Sequence, residues 1–303
     1  MRRATISFSF LLCLLTVSAQ SRYLSFVEFS AGGGWSTLTY SLNPSVATLQ
    51  ASDAGAFNMN LHVGYGLLFN SHIGFGFGVD ISRYGANTRL QGDMIWNDVT
   101  DTDGERYNHI THINHWNDKQ ELYYVEVPLA LYLMIPVSSV RLSAQVGVKY
   151  AFPFIRRSSF YGNVTHSGQY PDWGLTATDM PNHGFYTTDL EGKNGIGLQH
   201  QLFAFAKVGV MVSVSSRTMF FSHLYANCGM RSALGKTSHS HDFGLRDNSD
   251  EAAQVHYFME PASSLLETEI PTGKFLPVSV GLEVGFRIRL SQGQRYPCRC
   301  MEE

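Results

Sequence analysis

Three histidines of this chain have a spacing that could support metal chemistry. His109, His112 and His115 follow one another at intervals of three residues, beside Trp116. Neutral imidazoles that lie close together can share a divalent metal ion of soft or borderline character. Solvated loop histidines are the competing interpretation, and we favour it because a fourth ligand cannot be named from the sequence.

Two other polar segments are weaker candidates for chemistry. The segment 101–105, DTDGE, is similar to a calcium loop but lacks the distant glutamate at the required spacing, so a solvated acidic turn is the better interpretation. The segment 239–242, HSHD, contains Ser, His and Asp, yet neighbours in sequence do not have triad geometry. We therefore predict no catalytic residue and no cofactor, and we expect that the protein is not an enzyme.

The elements that carry these polar groups are β-strands. From Phe57 to Phe69 every second residue is large and apolar, and the residues between them, as far as Gly66, are Asn, His or Gly. This alternation indicates a strand with one apolar face. Seven further segments alternate alike, and the eight predicted strands are 24–40, 57–69, 72–85, 121–135, 139–152, 200–214, 218–231 and 276–290.

The connections between these strands alternate in length. Links 70–71, 136–138 and 215–217 are short, and links 41–56, 86–120, 153–199 and 232–275 are long. An even strand number with short turns at one end and long loops at the other is typical of outer-membrane barrels. We therefore predict an all-β fold, an eight-stranded antiparallel up-and-down transmembrane β-barrel over 24–290. Its long loops are expected to be extracellular, and residues 291–303 a short periplasmic tail.

The start of the chain and its composition agree with this location. Arg2 and Arg3 precede an apolar run over 6–17, and small residues follow up to Ala19, so we predict a cleaved signal peptide over 1–19. Charged residues are 16% of the chain, against roughly 25% in a typical soluble domain. There is no basic block, so nucleic acid is not an expected partner. The expected location is the outer membrane, with its lipid around the wall.

The interior of the predicted barrel receives the charged residues of the strands. An ionised group in a narrow lumen must be paired or hydrogen-bonded, and an eight-stranded barrel has room for side chains and little else. We therefore predict a paired network that fills the lumen. Its eight members are four acids and four bases: Glu28, Asp80, Glu126, Glu283, Arg141, Lys149, Lys207 and Arg287.

One strand pair resembles a known family. The run Tyr124-Val125-Glu126-Val127-Pro128-Leu129, with Tyr132 after it, resembles the signature of the PorT-like outer-membrane β-barrels of the porin family, common in the Bacteroidota. The run Gly147-Val148-Lys149-Tyr150 in the next strand is similar too. The resemblance implies an integral outer-membrane protein, and a few members of this family resemble components of the protein-secretion machinery. Pro128 lacks an N–H group for the strand ladder, so we expect a bulge there.

Two function classes follow from these observations. The first is a non-enzymatic barrel whose long loops contact partners, either in protein secretion or assembly or at the cell surface. The alternative is a small channel or a conduit for a small or apolar ligand, because Gly74, Gly76 and Gly78 could leave space in the lumen. A soluble lipocalin-type barrel would show the same alternation, but its outer wall would carry the Gly- and Ser-rich face, which suits water poorly.

Overall fold

The computed structural model describes residues 24–42, 50–69, 72–101, 103–194, 198–233 and 271–290. The predicted signal peptide, the predicted tail and the segment 239–242 lie outside these residues. Among the described residues, no helix is long and apolar enough to cross a membrane.

Eight strands close into a ring. Each pairs antiparallel with the next along the chain, and the last returns to the first, which confirms the predicted barrel. The ring strands are β1 (Leu24–Leu42), β3 (Ala56–Leu68), β4 (Ile73–Thr100), β5 (Arg106–Val137), β6 (Val140–Tyr170), β9 (Gln201–Ser213), β10 (Thr218–Gly229) and β11 (Pro271–Arg289). Three short strands lie outside the ring: β2 (Gln50–Asp53), β7 (Leu175–Ala177) and β8 (Thr187–Asn194).

The two faces of the wall are those predicted from the alternation. Leu131, Val208 and Leu282 point outward and are 50–60% exposed, whereas inward Ser279 and Glu283 are buried. An exposed apolar band around a closed ring suits hydrocarbon and not water.

The predicted long loops 86–120 and 153–199 are largely wrong, because three strands continue through them. β4, β5 and β6 are 28, 32 and 31 residues long, against about 9–11 residues for a membrane-spanning strand. In these extensions the inner face is still buried, but the outer face is polar. The apolar alternation of the outer face therefore ends at the membrane surface, although the three strands continue beyond it.

We call this second part of the molecule the extramembrane sheet. It consists of β2, residues 86–100 of β4, 106–120 of β5 and 156–170 of β6, together with β7 and β8. At about 3.3 Å per residue, its long strands reach roughly 50 Å beyond the wall. The sheet is therefore about as long as the part of the same strands that forms the wall.

One register shift of β5 lies within the extramembrane sheet and a second lies just below it, and neither is at Pro128. The pairing of β5 with β6 shifts between Ile113 and His115 and again between Tyr123 and Tyr124. Pro128 pairs in register with Lys149, so the predicted bulge at Pro128 is wrong. On the other side the register of β4 with β5 is the same before and after Pro128. The missing N–H group is accommodated without an extra residue.

Candidate functional site: the charged lumen and the extramembrane sheet

The lumen contains three groups of paired charges, and the first is centred on Lys149. Its ammonium group lies 2.7 Å from Asp80 and 3.0 Å from Glu126, and all three side chains are at most 1% exposed. The hydroxyl of Tyr84 donates to Glu126 at 2.8 Å. His62 contacts the second oxygen of Asp80. One cation therefore joins acids from two neighbouring strands.

The second group is centred on Glu283. Both of its oxygens accept from the ammonium group of Lys207, at 2.9 and 2.7 Å. The hydroxyl of Ser30 and the amide of Asn60 also donate to Glu283, at 2.8 and 3.1 Å. This carboxylate thus has the hydrogen bonds that a buried anion requires.

The third group pairs Arg287 with Glu28. The guanidinium donates to one oxygen of Glu28 from two nitrogens, at 2.9 and 2.5 Å, and Gln145 donates to the other oxygen at 3.4 Å. The guanidinium also lies over the rings of Phe26 and Tyr132, 4.0 and 5.0 Å from their centroids. Packing and charge together hold this arginine in place.

Seven of the eight predicted lumen residues are therefore joined in ion pairs, and Arg141 is the exception. Arg141 is half-buried at the barrel end, near Arg289, and no ion pair to it is found among the described residues. His62 is not among the eight predicted residues, although it contacts Asp80 in the interior. Its position between outward Leu61 and Val63 already indicated an inward side chain.

The interior glycines do not leave an open path. A Cβ atom at Gly66 would lie 2.1 Å from the ring of Phe26, and one at Gly76 would lie 2.7 Å from Tyr132. These glycines thus make room for large side chains that fill the barrel. The cavity between His62, Tyr132, Lys149 and Lys207 measures about 10 Å³, enough for about one water molecule.

A serine and a histidine also meet inside the lumen. The hydroxyl of Ser143 lies 2.6 Å from Nε2 of His223, and both side chains are buried. A nucleophile and a base at this distance can form a catalytic pair only where a substrate can reach them. The filled lumen around Ser143 argues for a structural hydrogen bond.

The structure does not bring His109, His112 and His115 together. The three residues lie on a strand, not in a loop, so a spacing of three turns His109 and His112 to opposite faces. His109 is buried, whereas His112 is exposed and contacts Asp93, and His115 packs against Tyr161. The proposed three-histidine metal site is therefore not assembled.

His109 instead forms a buried pair with His166 on the neighbouring strand. Its Nε2 lies 3.1 Å from Nδ1 of His166, and the hydroxyl of Thr111 lies 3.0 Å from the same nitrogen. Tyr107 and Phe185 pack against the pair. The pKa of each imidazole is lowered to about 4, mainly by burial, with a smaller contribution to that of His109 from the neighbouring His166.

This pair predicts that the extramembrane sheet loses stability in mild acid. An unfolded histidine has a pKa of about 6.5. Between about pH 6.5 and pH 4 the unfolded chain therefore binds protons that the folded sheet excludes, so stability falls as the pH falls. We expect a loss of about 2 kcal/mol per histidine at about pH 5. Amide hydrogen exchange measures this loss of stability. Protection of 107–113 and 164–170 is compared at about pH 7 and pH 5 after correction for the intrinsic exchange rates.

The matched control uses the exposed histidine of the same strand. H109Q removes one buried imidazole and should reduce the pH dependence of exchange by about half, whereas H112Q should leave it unchanged. A protection pattern that is equally pH-dependent in wild type, H109Q and H112Q would contradict the assignment.

An acidic group lies at the tip of the sheet. Asp101, Asp103 and His183 have ligand atoms within 4.8 Å of one another. One oxygen of Asp101 accepts from the backbone N–H groups of Asp103 and Glu105, each at 2.9 Å, and the other accepts from Tyr170 at 2.9 Å. These bonds form the solvated acidic turn that was expected, now anchored to β6.

The closed ring, its exposed apolar band and its charged, filled interior together decide the class of protein. The chain is a transmembrane β-barrel of the outer-membrane type. No family model matches it, and no curated protein does.

The solved structures to which this barrel is similar include two outer-membrane proteins. It is similar to the outer membrane protein OprG from Pseudomonas aeruginosa, with 9% identity over 89% of this chain and 96% of that chain and a TM-score of 0.35. It is also similar to the translocator domain of the autotransporter NalP from Neisseria meningitidis, with 8% identity over 95% and 96% and a TM-score of 0.21. These scores are low, so the architecture rests on the chain's own strand pairing.

Proposed function

We propose that this protein is a sealed, non-enzymatic outer-membrane barrel whose extramembrane sheet contacts a protein partner at the cell surface. The observation that carries the proposal is the contrast between the two parts of the molecule. The lumen is filled by paired charges, whereas β4, β5 and β6 continue for about 15 residues beyond the wall and offer a large folded surface.

The filled lumen supports a role other than conduction. Ion pairs join β1, β4, β5, β6, β9 and β11 across the interior, and His62 of β3 contacts Asp80. The cavity beside Lys149 holds about one water molecule. Aqueous diffusion channels belong to barrels of about 16 strands. The space beside the three glycines that suggested a conduit is filled by Leu68, Tyr132 and His62. These contacts weigh against the channel alternative.

The extramembrane sheet offers two strand edges to a partner. Among the described residues no strand pairs with the outer edge of β8, and none pairs with β4 over 92–100 except β5. Unpaired N–H and C=O groups on such an edge can add a strand from another protein. Exposed Asp189, Glu191 and Lys193 on β8 add charges that can select the partner.

The PorT-like resemblance adds a candidate context, which is protein secretion or assembly. The two runs that carry the resemblance meet in the structure, since Lys149 of one run pairs with Glu126 of the other at 3.0 Å. We propose that the chain is related to these barrels through this wall, and that its own extramembrane sheet determines its partner.

Site-specific photo-crosslinking in living cells tests this function. A photoreactive amino acid at Glu191 on β8 should capture a discrete protein, and one at exposed Ser139 in the turn between β5 and β6 should not capture the same protein. Loss of that adduct when Pro replaces Asp189, whose backbone N–H group points away from β6 in this register, would support strand addition. Steady ion conductance of the purified barrel in a planar bilayer, with no adduct from Glu191, would contradict the proposal.

A further inference from the structure

The outer wall is interrupted beside β6, just beyond the apolar band. β6 pairs with β9 as far as Ala151 and Gln201, and with β8 from Ser158 and Asn194 onward. Over 152–157 it pairs with β5 but with no other strand among the described residues. A groove opens at this gap.

The groove is strongly basic. Its volume is about 520 Å³, within the range of small-molecule sites. It is lined by four bases, one acid and two serines: Lys119, Arg156, Arg157, Lys193, Glu121, Ser158 and Ser159. Both arginines and both lysines are exposed. Arg156 also reaches the carbonyl of Leu198, at 3.5 Å.

The single acid does not neutralise this groove. Glu121 already accepts from the guanidinium of Arg83 at 2.9 Å and lies 3.3 Å from the ammonium group of Lys119. The nearby carboxylate of Asp118 is buried and accepts from Ser158 at 2.6 Å. Arg157 and Lys193 have no ion pair among the described residues. Two cations therefore remain available for an anionic ligand.

The groove lies at the level of the membrane surface. Tyr150, Phe152 and Phe154 are 43–50% exposed on β6 immediately below it, and aromatic residues of this kind mark the membrane interface. Arg157 follows Phe154 by three residues, which is about 10 Å along the strand. The cationic side chains of the groove, about 10 Å beyond the aromatic residues, therefore lie at the depth of the lipid headgroup phosphates.

We propose that this groove binds the phosphate of a glycolipid headgroup in the outer leaflet. The proposal rests on the membrane placement of the barrel and on the cell-surface orientation given under the proposed function, and not on a protein partner of the sheet. A guanidinium binds phosphate through paired N–H donors, and the groove continues directly into the lipid-facing wall. Its volume suits a headgroup better than an isolated phosphate ion.

Lipid binding by the purified full-length barrel tests this site. Native mass spectrometry follows titration of the detergent-solubilised protein with monophosphoryl lipid A, and in parallel with the same lipid after its phosphate has been removed. R157Q combined with K193Q should weaken binding of the phosphorylated lipid about 25-fold. This corresponds to about fivefold per charge, from the ~1 kcal/mol that a basic side chain gains near an anionic surface.

A variant with the same charge change elsewhere is the control. R89Q combined with R106Q removes two exposed arginines of the extramembrane sheet, and its lipid affinity should equal that of wild type. Heat-modifiable gel mobility shows whether each variant is folded. Equal affinity for the dephosphorylated lipid, an equal loss in both double variants, or full competition by inorganic phosphate at the concentration of the lipid would each overturn the assignment.

Discussion

Replacing Lys149 by methionine should destabilise the barrel by about 3–5 kcal/mol, the largest effect that we expect from a single substitution. The change keeps most of the side-chain volume but leaves Asp80 and Glu126 buried without their shared cation. Removing one partner of a buried ion pair costs far more than the pair contributes, because the remaining charge has lost its water. A urea titration of the barrel refolded in vesicles measures the difference.

Two companion variants make this result specific to the network. R141Q removes a lumen cation that takes part in none of the ion pairs described, so it should cost less than about 1 kcal/mol. Adding E126Q to K149M removes one stranded carboxylate and should recover part of the loss. If R141Q is as harmful as K149M, the pairing described for the lumen is wrong.

Arginine at Val208 should destabilise the membrane-inserted barrel by about 2–4 kcal/mol. Val208 is 59% exposed in the middle of the outward face of β9, between exposed Ala206 and Val210. An arginine there must either enter hydrocarbon or draw water and headgroups toward the bilayer centre. The same refolding titration reports the change.

The matched control places the same charge on the same kind of strand position outside the membrane. Ile95 is 51% exposed on β4 in the extramembrane sheet, and I95R should change stability by less than about 0.5 kcal/mol. Comparable losses from V208R and I95R would contradict the division between wall and extramembrane sheet.

The wall could be predicted from sequence because lipid imposes a strict rule. Every outward position between Val125 and Ile135 must be apolar, and the partner strand repeats the rule from Val140 to Val148, so faces, turns and strand number followed from alternation alone. The aromatic signal was less exact. Tyr132 lies near a strand end, where interfacial aromatic residues occur, yet it is buried under Arg287, because its neighbours Leu131 and Leu133 are the residues that face lipid.

The extramembrane sheet could not be predicted by the same rule. Along β5, Tyr107, His109, Thr111 and Ile113 still point inward, but His112 and Asn114 on the outer face meet water, so the apolar alternation disappears. A register shift between Ile113 and His115 then interrupts the period. Strand continuation depends here on pairing between residues up to 61 positions apart, such as Asn108 and Gln169, which a local pattern does not contain.

In the candidate site, too, the part inside the wall could be predicted from sequence and the part in the extramembrane sheet could not. The partners in the lumen could be named from sequence because a narrow interior offers few cations to its acids. In the structure, Arg141 takes no part in the ion pairs described, and His62 joins the network through Asp80. The histidine triplet failed because its interpretation assumed a loop, whereas strand geometry separates His109 from His112. The His109–His166 contact depends on the long-range pairing of β5 with β6, and the basic groove depends on how β6 passes from β9 to β8. Neither feature has a local signature in the sequence.

Single-cysteine labelling of intact cells tests the central claim that the extramembrane sheet lies outside the cell. In a background without the native cysteines, a bulky reagent that cannot cross the membrane is applied to cysteine at Trp173, which is 58% exposed at the far end of the sheet, and at Ser216 in the turn between β9 and β10. Short turns remain on the side from which a barrel inserts. The structure therefore predicts labelling at 173, with 216 labelled only after lysis. Labelling at 216 without labelling at 173 would place the extramembrane sheet in the periplasm and contradict the proposed surface role.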